Sequence, residues 1–279
     1  MSDALVTAGW VAERLGKPGV RLIDVPMKPE TYAERHIEGA VLIDWQRELI
    51  EEEDESSGKV IDPERFAALS RRLGINFDDT LIFYGDKGGR HAIRALWTYE
   101  YYKHGGALYL MDGGREQWTR EGRPMTDELP HPAPTGYAMP SRREFRIRTT
   151  LDEIRAGLKR SSALRPGSGP ELVVLDVRTR AEYEGTDIRA ARGGHIPGAI
   201  HIEWEDAMYD DKRFKSKDEL SELYADVPRD AEVAIHCQLG IRAAHTWFAL
   251  RHILGYEHAA NYDGSWQEWG NREDTPIEA

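Results

Sequence analysis

The sequence predicts an α/β fold built from two tandem domains, each a mainly parallel sheet flanked by helices. Three observations predict it. Landmarks recur along the chain at nearly one offset, apolar runs of strand length alternate with helical patterns, and a proline-rich stretch separates the copies.

The repeat is the firmest of the three. Leu22–Pro26 (LIDVP) matches Leu175–Arg178 (LDVR), which sets Asp24 and Asp176 152 positions apart. His36-Ile-Glu-Gly-Ala matches His195-Ile-Pro-Gly-Ala, and a tryptophan trails each, Trp45 or Trp204. Leu110–Trp118 matches Asn261–Trp269, with Asp112 and Asp263 151 apart. Two units of about 125 residues follow, close to a common domain size. Thr126–Phe145 carries four prolines and no sustained apolar period. It reads either as an extended linker or as an ordered loop packed on both domains. The expected organisation is a first domain over 1–125, a linker over 126–148 and a second domain over 149–279.

The elements follow in order. Leu81–Gly85 (LIFYG) reads as a buried strand of the first unit, with Glu171–Val177 (ELVVLDV) and Ala231–Cys237 (AEVAIHC) as its counterparts in the second. Leu151–Leu158 has helical spacing, with Thr150 as its N-cap. Arg242–Gly255 has helical spacing too, and Gly255 suits the C-cap. The acidic run Glu51–Gly58 reads as a solvated loop without a function. It accounts for most of the seven extra residues between His36 and Gly85, relative to His195 and Cys237.

Composition narrows the function. The chain has 279 residues, 37 basic and 49 acidic, for a net charge of −12. That sign disfavours nonspecific binding to nucleic acid or to anionic membranes, though a local pocket can still oppose it. No apolar run reaches the length of a membrane span. The start, MSDALVTAGW, lacks the basic and apolar regions of a signal peptide. A single cysteine excludes an intrachain disulfide framework and a cysteine-rich metal site, and the cytoplasm is the expected address.

That cysteine, Cys237, ends an apolar run and opens the turn Cys237-Gln-Leu-Gly-Ile-Arg242 before a helix. Ligands of parallel sheets bind beyond the carboxyl ends of the strands, which is where Cys237 falls. A short strand-to-helix turn aims backbone N–H groups inward and, with the helix N-terminus, forms an anion cradle that favours a thiolate. Gly240 lets the backbone bend, and Arg242 adds a positive charge. The bland alternative is a buried inert cysteine. Its place at the strand end favours a reactive thiol.

With these residues together, the chain resembles the tandem-domain sulfurtransferases of the rhodanese family. HIPGA at His195–Ala199 and AANYDGSWQEW at Ala259–Trp269 carry the likeness, and the first unit has weaker versions in HIEGA and MDGGREQW. The resemblance implies two rhodanese-like domains, of which only the second keeps the cysteine. Gly85 stands opposite Cys237, so the first is expected to be non-catalytic and to shape a wall of the site. It implies sulfur transfer through a Cys237 persulfide in two steps, with the backbone of Gln238, Leu239, Gly240, Ile241 and Arg242 cradling the negative sulfur. Arg178 stands where family members often place a substrate-binding arginine. Arg189 and Arg192 are further candidates. Asp176, His195, His236, His245, Trp266 and Trp269 are expected to be structural. No metal or organic cofactor is implied, and the partners are a small-molecule sulfur donor and a thiophilic acceptor.

The donor stays open. Family loops selective for thiosulfate commonly carry cations at their second and third positions, and those selective for 3-mercaptopyruvate carry Gly-Ser. Gln238-Leu239 matches neither. Arg178 and Arg242 together can balance a dianion, so thiosulfate is the expected donor, with 3-mercaptopyruvate as the alternative. A cysteine phosphatase needs its arginine one position later than Arg242. A persulfide carrier or redox sensor is the remaining alternative.

Overall fold

Ten strands of a computed structural model fall into two sheets of the same topology. The structure describes residues 4–51, 58–163 and 172–279. The first sheet holds β1 (Leu5–Val6), β2 (Val20–Asp24), β3 (Val41–Leu42), β4 (Thr80–Tyr84) and β5 (Leu108–Met111), in the order β1-β5-β4-β2-β3. The second holds β6 (Arg148–Thr149), β7 (Leu172–Asp176), β8 (Ile200–His201), β9 (Glu232–His236) and β10 (Ala259–Tyr262), in the order β6-β10-β9-β7-β8. Among the described residues every pairing between these strands is parallel, and the central strands read as continuous apolar runs because helices flank the sheets. Register makes the repeat physical: Asp24 pairs with Tyr84 in one sheet, and Asp176 with His236 in the other.

The chain divides into two compact units. The first comprises Met1–Glu52, Val60–Glu144 and Met208–Phe214; the second comprises Glu53–Lys59, Phe145–Ala207 and Lys215–Ala279. The proline-rich stretch up to Glu144 therefore groups with the first unit. Arg71 Nε donates to Tyr137 O at 2.8 Å, and Tyr137 is buried against Phe66. Of the acidic run, residues 52–57 lie outside the described residues. Its last member, Gly58, is buried rather than solvated.

The repeated motifs build equivalent parts. In each His-Ile-x-Gly-Ala turn a preceding tyrosine stacks on the histidine, Tyr32 on His36 at 3.9 Å and Tyr183 on His195 at 3.8 Å. The histidine Nδ1 meets that tyrosine's carbonyl, and the tyrosine hydroxyl donates to the alanine carbonyl at the motif's end. Gly39 and Gly198, at φ +76° and +72°, supply the left-handed turn. The tryptophan that ends the later repeat, Trp118 of Leu110–Trp118 or Trp269 of Asn261–Trp269, donates its indole N–H to a proline carbonyl at 2.9 Å. Thr150 caps the helix Leu151–Ala163 as expected, with Glu153 bonding back to its N–H at 2.8 Å. The helix Ile241–Phe248 continues as a wider turn over Ala249–Leu254, and Gly255 ends it at φ +81°.

Candidate active site

Cys237 follows β9 directly, at the carboxyl end of the second sheet. The chain turns through Gln238 and Leu239 to Gly240, whose φ of +71° starts the helix Ile241–Phe248. The first amides of a helix have no intrahelical acceptor, so here they are left for a negative group in the turn. Cys237 itself is 1% exposed. Its N–H donates to Ser265 Oγ at 3.1 Å, and its carbonyl accepts from Trp266 N at 2.9 Å. Gln238 O accepts from Gln267 N at 3.1 Å, and Gly240 O from Asn261 Nδ2 at 2.9 Å. The end of β10 and the helix Ser265–Trp269 thus grip the turn by its backbone. Gly58 and Lys59 also group with this unit, and Lys59 Nζ meets Glu268 of the same helix at 2.9 Å.

The predicted cations are placed differently from expectation. Arg242 makes a two-pronged pair with Glu182, at 2.7 and 2.8 Å, and Glu182 is fully buried. Burial works against the Arg242 guanidinium, but Glu182 and the nearby Cys237 outweigh it and push its pKa up. Burial likewise works against the Glu182 carboxylate, and Arg242 with Thr179 outweighs it, holding Glu182 at about 2. Arg178 is 1% exposed. Its Nε and Nη2 reach Asp176 at 2.9 and 2.6 Å, Nη2 also donates to Gly194 O, and the guanidinium lies 4.2 Å from the Trp266 ring. Both arginines expected to balance a dianion therefore already face a carboxylate. Arg189 also faces carboxylates, Asp187 at 2.7 Å and Glu182 at 3.8 Å, but it is the more exposed cation, and its carbonyl accepts from the Gln238 side chain at 2.8 Å. Arg192 is spent on the C-terminal segment, donating to Thr275 and Trp269 carbonyls.

The buried pair under the turn, Asp176 and His236, differs from its counterpart Asp24 and Tyr84 in the first unit. Burial pushes His236 down to about 4, so the ring is neutral at pH 7. Burial also opposes the Asp176 charge, but His236, which is protonated in the acid range where Asp176 titrates, and Arg178 outweigh it, so Asp176 stays below its ordinary range. The first unit has Pro26 where the second has Arg178, and Arg115 reaches Asp24 from another element. There burial prevails, and Asp24 is pushed up to about 7. The two turns also differ in length. The helix Arg90–Tyr101 starts after Gly88 and Gly89, both left-handed, so the first turn has one residue more than Cys237–Gly240. A Cβ on Gly85, the counterpart of Cys237, would lie 2.5 Å from Val25 O.

Sequence reasoning missed Glu182, Ser265, Asn261 and Gln267. Glu182 had a readable signal, because Thr179-Arg-Ala-Glu182 is a capping box, and the box is formed. Its pairing with Arg242, 60 positions on, had none. A separate cavity of about 460 Å³, walled by Arg148, Arg160, Leu172, Glu232 and His258, opens at the amino ends of the strands. That is the end away from Cys237, and parallel sheets bind ligands at the other.

A rhodanese-like domain model matches residues 7–121 and 160–272. The chain belongs to the rhodanese family. It is 37% identical to the thiosulfate sulfurtransferase of Corynebacterium glutamicum over 284 residues, covering 99% of this chain and 90% of that protein. It is 40% identical to the sulfur carrier protein TtuD of Thermus thermophilus over 285 residues, covering 99% and 96%. Among solved structures, the anaerobic ergothioneine biosynthesis enzyme of Chlorobium limicola superposes with a TM-score of 0.84 at 23% identity, covering 99% of this chain and 70% of that one. That likeness shows the shared fold. No helix among the described residues is long and apolar enough to cross a membrane.

Proposed function

We propose that the protein is a thiosulfate sulfurtransferase that works through a Cys237 persulfide. The observation that carries the reading is the lone cysteine's place: the carboxyl end of β9, in a glycine turn that runs into a helix N-terminus. The Cys237 thiolate attacks the outer sulfur of thiosulfate. A sulfur–sulfur bond forms to Cys237, the bond to the sulfonate breaks, and sulfite leaves with the electron pair. Cyanide or a thiol then takes the outer sulfur and returns the thiolate. The amides of Gln238, Leu239, Gly240, Ile241 and Arg242 stabilise the negative sulfur in both states. Arg189 meets the donor's sulfonate, Arg242 fixes the helix start through Glu182, and Arg178 orders the strand end as a positioning residue.

In this reading the chemistry belongs to the second unit, residues 149–279 with Phe145–Arg148 of the connection 126–148 joined to it, while 1–125 and the rest of the connection up to Glu144 form a unit without chemistry of its own. The donor and acceptor are small molecules, no metal or organic cofactor takes part, and a reducing compartment such as the cytoplasm suits a lone reactive thiol. Intact mass spectrometry tests it. Incubation with thiosulfate should add one sulfur that cyanide removes and that Cys237→Ser lacks. A faster gain with 3-mercaptopyruvate would reassign the donor, and no gain with either would overturn the reading.

A further inference from the structure

We infer that Ser265 is a positioning residue for Cys237, holding the nucleophile's backbone so that the turn amides face its sulfur; this rests on the sulfurtransferase reading. Ser265 is fully buried and adopts φ +52°, a left-handed conformation that costs a non-glycine residue free energy. Its Oγ accepts from Cys237 N at 3.1 Å and donates to Tyr262 O at 2.7 Å. The strained backbone therefore places one hydroxyl between the end of β10 and the amide of the nucleophile.

The first unit supplies an internal control. Gly114 occupies the place of Ser265, at φ +48°, and Arg115 N donates to Gly85 O at 2.8 Å as Trp266 N does to Cys237 O. A Cβ on Gly114 would collide with Gly85 O. The fold thus closes without any side chain at this position, and glycine adopts that backbone without strain. The half without the cysteine carries glycine at both places, and the half with it carries both Cys237 and Ser265. The serine's hydroxyl offsets the cost of that conformation by serving the amide of Cys237 and the carbonyl of Tyr262, so the strain is spent on the one amide that belongs to the nucleophile. Binding Cys237 N also keeps that amide out of the cradle, which leaves the sulfur to the amides of residues 238–242.

Two variants separate positioning from structure. Ser265→Gly loses the hydroxyl's two hydrogen bonds but relieves the backbone, and the two effects are of similar size, so its melting temperature should stay within about 2 °C of the parent. Ser265→Ala removes the hydroxyl and keeps the strain, so it should melt roughly 5 °C lower. Both should lower kcat by roughly tenfold or more with little change in KM, because a nucleophile misplaced by part of an ångström loses near-attack geometry. Activity would then follow the hydroxyl while stability follows the backbone. Ser265→Gly with kcat within twofold of the parent would overturn the inference, as would a loss of activity confined to Ser265→Ala. Alkylation of Cys237 by iodoacetamide gives a readout independent of sulfur transfer. Its rate should change at least threefold in Ser265→Gly, and an unchanged rate counts against the inference even if the parent takes up no sulfur.

Discussion

Replacing Glu182 by Gln should cost stability in a way that disappears in acid. Glu182 is fully buried, and its carboxylate meets Arg242 at 2.7 and 2.8 Å. Its pKa falls from 4.5 to about 2, because Arg242 and Thr179 outweigh the cost of burial. A lowered folded-state pKa gives stability that is present above the unfolded value and lost as pH falls through the folded one. At about 1.4 kcal/mol per unit, the ionised group contributes about 3 kcal/mol at pH 7 and about half that at pH 3. The same size is expected for breaking a buried pair from one side, where the remaining charge has no partner. Glu182→Gln keeps the shape and cannot ionise. Urea unfolding followed by tryptophan fluorescence should therefore show the variant about 3 kcal/mol less stable at pH 7, with the gap near halved at pH 3. A gap that stays constant over that range, or one below about 1 kcal/mol at pH 7, would refute the reasoning.

Three further outcomes are expected. Arg178→Lys loses the two-pronged hold on Asp176, so it should lose about 2–4 kcal/mol in urea unfolding while KM for thiosulfate moves less than twofold; a tenfold rise in KM with stability intact would restore a substrate-binding role. Gly85→Cys in a Cys237→Ser background should take up no sulfur from thiosulfate and should lower the melting temperature, because the new Cβ meets Val25 O at 2.5 Å; a cyanide-removable adduct on the introduced thiol would contradict this. Asp24 titrates near 7 in the folded state, so the parent loses stability as pH rises through that value. Relative to the parent, Asp24→Asn should gain about 2–3 kcal/mol between pH 5 and pH 8, measured by urea midpoints; a gap independent of pH would sink the assignment.

The backbone plan was legible in the sequence for a physical reason. Strands buried on both faces must be apolar throughout, so Leu172–Asp176 and Glu232–His236 stand out as runs. Helix starts and left-handed turns draw on few residue types, so Thr150, Gly240 and Gly255 announced themselves. A lone cysteine between a strand and a glycine turn was visible for the same reason. These signals are local, and duplication printed most of them twice.

Partners are not local. The sequence by itself determined the two-unit α/β plan, the repeated turns and the position of Cys237. Only the tertiary structure decided what each charge near it faces. Arg178 and Arg242 read as cations for a dianion, yet each lies against a buried carboxylate, Asp176 or Glu182. Gly58 read as solvated and is buried, and Ser265 read as one letter of a motif and bonds to the amide of Cys237. Charge and polarity are properties of residue types, whereas burial and pairing are properties of places. Residues 60 positions apart become partners only when the sheet brings their elements together.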